Sequence, residues 1–203
     1  MSMHSGMDKF IDKALHGDGD SDRHLISIFA IALASKGKTY VELGVREGHT
    51  SQPLYEAAKA NGGRLWSVDI NEPTEYRPSS TDIHYEFVQQ DSIEFLQVWP
   101  KDKKIDVVFV DDWHSYEHVK RQLELLDQCV GPSSVILLHD LMYGNTDPFY
   151  HADLAHHEGQ WASGGPYRAI AELNPQFWEW STLPWNNGLT ILRKKYSNKY
   201  HRS

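Results

Sequence analysis

A single cysteine, Cys129, in 203 residues excludes an internal disulfide framework. Its place late in an amphipathic run predicts a reduced, buried thiol and a cytoplasmic protein. No apolar stretch approaches the roughly 20 residues of a membrane span. The most apolar one, Leu25 to Ala34, is much shorter, and no basic-then-apolar leader precedes it. Basic residues are also scarce. Lys and Arg number 20 against 28 Asp and Glu, the formal charge is −8, and the one basic cluster is Arg193-Lys194-Lys195. This balance counts against a nucleic-acid backbone as the main partner and favours a small or neutral substrate, with self-association left open. The turn Gly-x-Gly-x-x-Gly that cradles a diphosphate is missing as well. There is no internal repeat or low-complexity tract, and one domain spanning 1–203 suffices to bury a full core.

What the chain does have is a strand running into a glycine turn, Thr39-Tyr-Val-Glu-Leu-Gly-Val-Arg-Glu-Gly48. Tyr40, Val41 and Leu43 suit a buried strand, and Gly44 and Gly48 break it before an Ala-rich helix over Ser51 to Ala60. Thr50 or Ser51 is expected to cap that helix, with Pro53 in its first turn. Strand, glycine turn and helix N-terminus form the first half of a nucleotide-binding βαβ unit, or simply any α/β crossover. Glu42 decides between ligands, because at the strand's end it would set a carboxylate against a pyrophosphate. An acidic mouth suits a cationic nucleoside. S-adenosylmethionine, with sulfonium and ammonium charges, meets that requirement, and here Glu-x-Gly-x-x-x-Gly resembles the first motif of class I methyltransferases.

Along the rest of the chain, Met7 to His16 and Ser21 to Ser35 read as N-terminal helices within residues 1–36, with Ser21 as an N-cap and Gly37 as a stop. Strands are expected at 64–70, 84–89, 105–110 and 134–139, and helices at 92–99 and 115–130, while the stretch 71–82, with two prolines, reads as a loop or a very short helix. Strands alternating with helices imply a mainly parallel sheet covered on both faces. At the end, 177–182 and 188–192 are strand-like and joined by five residues, which forces an antiparallel hairpin. This order is similar to the Rossmann-like class I methyltransferase fold, a mainly parallel seven-stranded sheet with a C-terminal antiparallel hairpin and helices on both faces. Residues 142–165, with His151, His156 and His157, read as a substrate lid rather than a second metal site.

In an open α/β sheet the ligand lies beyond the carboxyl ends of the strands. Asp69 ends the second strand, where it could take both hydroxyls of a ribose. Asp91 and Ser92 follow the third, where they could meet an adenine edge. Each also has a plain structural role open to it, Asp69 starting a turn and Ser92 capping a helix. The fourth and fifth strands end in Asp111-Asp112-Trp113-His114 and His139-Asp140. Should these strands be neighbours, Asp111 and Asp140 would face one another, and two close carboxylates require a proton or a cation between them. Hard oxygen donors favour Mg²⁺, Ca²⁺ or Mn²⁺, and His139, either a ligand or a satisfied side chain, would tilt the choice toward Mn²⁺ or iron. Asp112 is expected as a solvated turn residue.

The run Val-Asp-Asp-Trp-His-Ser-Tyr-Glu-His, followed by a helix and Leu-Leu-His-Asp, resembles the metal-dependent O-methyltransferases, in particular the macrolide sugar O-methyltransferase and cephalosporin hydroxylase-like group. That resemblance makes the two strands neighbours and Asp111, His139 and Asp140 the ligands of a divalent cation, Mg²⁺ or Mn²⁺. It makes His114, three residues beyond Asp111, the base. His139 stands where those relatives usually carry an acid, so one negative charge is missing and Mg²⁺ affinity should be lower. The expected cofactor site is Glu42, Gly44, Gly48, Asp69, Asp91 and Ser92, and the expected activity is S-adenosylmethionine-dependent O-methylation of a small hydroxylated substrate such as a sugar. A nicotinamide-linked oxidoreductase and a non-catalytic adenosylmethionine-binding module are the rival readings.

Overall fold

A computed structural model describes residues 4–141 and 164–195. The elements run α1 (His4–His16), a 3₁₀ turn (Asp22–His24), α2 (Leu25–Ala34), β1 (Thr39–Leu43), α3 (Ser51–Ala60), β2 (Arg64–Asp69), β3 (Tyr85–Gln89) and α4 (Ser92–Val98). They continue with β4 (Ile105–Val110), α5 (Tyr116–Cys129), β5 (Val130–His139), α6 (Gly165–Ala171), β6 (Trp178–Leu183) and β7 (Leu189–Lys194). Seven strands form one sheet in the order β3-β2-β1-β4-β5-β7-β6. The first five are parallel, and β7 pairs antiparallel with both β5 and β6.

Alternation along the central strands divides the core in two. Val41, Leu43, Val108, Val110, Ile136 and Leu138 point to a layer built by α4, α5 and α6, where Phe95, Leu123, Leu126 and Ile170 pack. Tyr40, Val107, Phe109 and Leu137 point the other way, against Ile28, Ala32, Leu54 and Ala57 of α2 and α3. With helices on both faces the central strands are apolar on both, and every residue of β1 is buried. Asp106 Oδ2 accepts from the backbone N–H groups of Lys38 at 2.7 Å and Thr39 at 3.0 Å, which anchors the start of β1 beside β4. Cys129 is buried and unpaired, and no helix among the described residues is long and apolar enough to cross a membrane.

Several local expectations are corrected. The first helix begins at His4 rather than Met7. Ser21 makes no side-chain cap, and the segment expected to be one helix opens as a 3₁₀ turn in which Asp22 Oδ2 accepts from Gly19 N at 2.9 Å. Lys36, not Gly37, takes the left-handed conformation after α2. Gly37 instead admits Asp106, whose Cβ would lie 2.5 Å from any Cβ placed there. β5 starts at Val130 with no loop after α5, and an irregularity in its pairing with β4 falls between Ile105 and Val107. α6 is an additional helix, and Pro166 sits in its first turn. The expected lid lies outside the described residues except for Gly164 and Gly165.

Candidate active site

The carboxyl ends of β1, β2, β4 and β5 meet at one edge of the sheet, and the glycine turn after β1 is pressed against two of its neighbours. Gly44 has φ +89°, and a Cβ there would stand 2.3 Å from the Asp111 carbonyl oxygen. Gly48 has φ +85°, and its Cβ would stand 2.0 Å from the carbonyl oxygen of Tyr76. Only glycine suits either position. Asp69 Oδ2 accepts from Val45 N at 2.8 Å and Arg46 N at 3.1 Å, and its Oδ1 accepts from Asn71 N at 2.9 Å. The β2 carboxylate therefore ties the glycine turn to its own strand.

Glu42 sits one residue inside β1 and is 0 % exposed. Its Oε1 accepts from Thr50 Oγ1 at 2.7 Å, and its Oε2 accepts from Ser51 Oγ at 2.6 Å and Ser67 Oγ at 2.5 Å. Burial pushes its carboxyl up to about 7 despite these three hydroxyls. The hydroxyls expected to cap α3 are thus turned onto Glu42, and neither Thr50 nor Ser51 lies in an N-cap hydrogen bond. Glu42 is a buried support beneath the site, not an acid at its mouth.

Asp91 is the N-cap of α4, its Oδ1 accepting from Ile93 N at 2.8 Å and Glu94 N at 3.1 Å. Ser92 leaves that task to its neighbour and donates to Asp112 Oδ2 at 2.5 Å. Asp112 also accepts from His118 Nε2 at 3.0 Å, and Gln122 Nε2 lies 2.9 Å and 2.8 Å from its two oxygens. With its side chain only 17 % exposed, Asp112 is not the solvated turn residue the sequence suggests. Burial works against its charge, but His118, Ser92 and Gln122 hold the carboxyl below the usual range.

Across the β4–β5 boundary four side chains converge. His114 Nε2 is 3.2 Å from Asp111 Oδ1 and 3.3 Å from Asp140 Oδ2. His139 Nδ1 is 3.4 Å from Asp111 Oδ1 and 3.0 Å from Asp140 Oδ1. Asp140 is aimed inward by a left-handed backbone, φ +64°, which is uncommon outside glycine. Ligand atoms of Asp111, His139 and Asp140 all lie within 4.8 Å of one another. Burial opposes the charge on Asp111, yet His139 and His114 hold its carboxyl well below the carboxylate range. The same acids raise both imidazoles against burial, His139 strongly. Asp140 Oδ1 and both nitrogens of His139 are buried and lie outside hydrogen-bond geometry with any described residue.

Two cavities open on this edge. The smaller, about 320 Å³, is lined by Gly44, Val68, Asp69, Gln90, Asp91, Ser92 and Trp113 among others. The larger, about 680 Å³, is lined by Asp20, Glu47, His49, Glu75, Asp111, His114, Asp140 and Asn187 among others. They share Gly44, Val45, Arg46, Asp111 and Asp112. Of the expected site residues, Glu42, Gly48 and His139 line neither cavity. Asp20, His49 and Asn187 were not expected. They come from the turn before the 3₁₀ segment, the end of the glycine turn and the β6–β7 connection, which only the closed fold brings together. No local pattern in the sequence marks them. Burial, then Asp111 and Asp140, raise the Asp20 carboxyl, as a third acid on one wall requires.

The sheet order, the glycine turn and acids at successive strand ends define a class I, S-adenosylmethionine-dependent methyltransferase. Residues 41–141, which run from β1 past the end of β5, match the family described as a methyltransferase domain, and the chain belongs to that family. No curated protein matches the chain. Among solved structures, the adenosylhomocysteine-bound methyltransferase PaMTH1 of Podospora anserina is 15% identical, with a TM-score of 0.63 over 96% of this chain and 88% of that one. An O-methyltransferase of Bacillus cereus in complex with adenosylhomocysteine is 14% identical, with a TM-score of 0.59 over 95% of this chain and 90% of that one. TomG of Streptomyces achromogenes, an O-methyltransferase involved in tomaymycin synthesis and bound to S-adenosylmethionine, is 14% identical, with a TM-score of 0.59 over 87% and 81%. At these identities the likeness is one of fold.

Proposed function

We propose that the protein is a metal-assisted O-methyltransferase of the cytoplasm acting on a small hydroxylated substrate such as a sugar. The observation that carries this reading is the junction of two cavities at Asp111, with a nucleoside-sized space on one side and an acid–imidazole cluster on the other. In it, Asp69, Asp91 and Ser92 face the adenosine part of the cofactor, and Gly44 lets the chain pass close to it. Glu42 and Gly48 act from behind, fixing α3 and the 71–82 loop to the glycine turn. The names of the Bacillus and Streptomyces neighbours support oxygen as the methyl acceptor.

The donor set fits a divalent cation. Two carboxylates and an imidazole converge, and their buried, unpartnered atoms are those a cation would satisfy. Asp111, His139 and Asp140 would hold it. When bound, S-adenosylmethionine supplies a methyl group on a good leaving group, and the cation lowers the pKa of a coordinated hydroxyl. His114 borders the larger cavity with its Nε2 against both acids, and its imidazole is the base for the acceptor's proton. Asp111 and Asp140 orient that ring and stabilise the imidazolium that results.

Calorimetry tests the cofactor assignment. Adenosylhomocysteine should bind at micromolar affinity or tighter, about −8 kcal/mol, and NAD weakly or not at all. The reverse order would favour a nicotinamide-linked oxidoreductase.

A further inference from the structure

His24 closes the 3₁₀ turn and is fully buried behind the acid cluster. Its Nε2 donates to the carbonyl oxygens of Trp185 at 2.7 Å and Asn186 at 3.2 Å, in the β6–β7 connection. Its ring stacks on Trp185, with centroids 5.9 Å apart and planes 18° from parallel. These contacts fix both the ring and its tautomer, because a nitrogen that bonds two carbonyls carries the proton. Nδ1 is then a bare lone pair, and it has no hydrogen-bond partner among the described residues.

The adjacent ring is His139, 5.4 Å away between centroids and tilted by 75°. His139 turns Nδ1 toward Asp111 and Asp140. For Nδ1 to ligate a cation it must be unprotonated, so the proton belongs on Nε2, which is buried and also without a described partner. A donor without an acceptor and an acceptor without a donor thus occupy neighbouring rings in one buried spot. Leaving either unmet is unfavourable. Ligating histidines generally donate their second N–H to a fixed acceptor, which sets ring orientation and strengthens the ligand.

We propose that His24 is a positioning residue for the cation site, its Nδ1 accepting the Nε2–H of His139 when Nδ1 of His139 is a ligand. This rests on the reading of Asp111, His139 and Asp140 as cation ligands. It also gives a use to an imidazole in a ligand set otherwise made of acids, because a neutral ligand gains basicity from the acceptor behind it.

Asparagine and glutamine separate the two ring nitrogens of His24. His24→Asn keeps an acceptor near the Nδ1 position, whereas His24→Gln keeps a donor near Nε2 for the hairpin carbonyls. Mn²⁺ is titrated into each protein in the presence of adenosylhomocysteine, with free Mn²⁺ followed by electron paramagnetic resonance. His24→Gln should bind Mn²⁺ about 10- to 100-fold more weakly than wild type, and His24→Asn should stay close to it. Equal weakening of the two, or a Gln variant with wild-type affinity, would overturn the proposal. A wild-type protein that binds adenosylhomocysteine but no Mn²⁺ would sink the cation reading itself, and His24's role with it. Should the variants not fold, ¹⁵N resonances of wild-type histidines decide: on adding Mg²⁺ the His24 Nδ1 signal should move from a free to a hydrogen-bonded lone pair, and an unmoved signal refutes the contact.

Discussion

Replacing Glu42 by glutamine tests whether the acid beneath the glycine turn is held neutral. Glu42 is enclosed by the hydroxyls of Thr50, Ser51 and Ser67, and burial moves its carboxyl from 4.5 to about 7. Below pH 4.5 folded and unfolded chains both hold the proton, and the site contributes its full stability. Between 4.5 and 7 the unfolded chain gives up its proton first, so stability falls as pH rises. Above 7 the loss is complete and amounts to about 3 kcal/mol, from ~1.4 kcal/mol per unit of pKa difference. Glutamine is nearly isosteric, does not ionise, and can meet the same hydroxyls once they reorient. Urea denaturation of both proteins from pH 4.5 to 8.5 isolates this one group in the difference between their stabilities. Wild type should lose about 3 kcal/mol relative to the variant across that range. A difference that stays flat, or that changes in favour of wild type as pH rises, would show that Glu42 is ionised in the folded protein.

Removing the proposed base, His114→Ala, should lower turnover by about 10²- to 10⁴-fold while adenosylhomocysteine affinity holds, and near-normal turnover would show that another group takes the proton. Asp140→Asn should abolish Mn²⁺ binding, read by calorimetry, without displacing the cofactor, because Asp69 ends β2 and Asp91 caps α4, away from the cluster. Retained Mn²⁺ affinity would move the cation elsewhere or remove it from the reading.

The architecture was legible because its signals are local. Short apolar runs bounded by Gly, Pro and polar turns marked every strand, and the five-residue connection before Gly188 forced the hairpin. Gly131-Pro132 resembled a loop and hid the start of β5, since the pairing of Val130 with Ile105 cannot be seen locally. Gly164-Gly165-Pro166 hid α6 in the same way. Around the site, residue types at strand ends pointed to the carboxyl edge of the sheet, and Asp111, His114, His139 and Asp140 come together there. What sequence could not give was direction. Thr50 and Ser51 have the chemistry of helix caps, but the buried Glu42 carboxyl near the end of the preceding strand takes both hydroxyls instead. Asp112 is polar beside a turn, but Ser92, His118 and Gln122 arrive from two helices to enclose it.

The hydrogen bond from His24 to the Trp185 carbonyl joins residues 161 apart in sequence. Asn187, from the same hairpin turn, and Asp20, from the turn before the 3₁₀ segment, border one cavity. The mouth of the site is therefore sewn from both ends of the chain. During synthesis at roughly 5–20 residues per second, the N-terminal turn waits on the order of 10 s or more for its partner. Until then the strands that carry Glu42 and Asp69, and α4 with its cap Asp91, can assemble, but the wall over Asp140 stays open. A nascent chain would therefore have every lining residue of the smaller cavity, which ends at His118, before it has those of the larger, which needs Asn187.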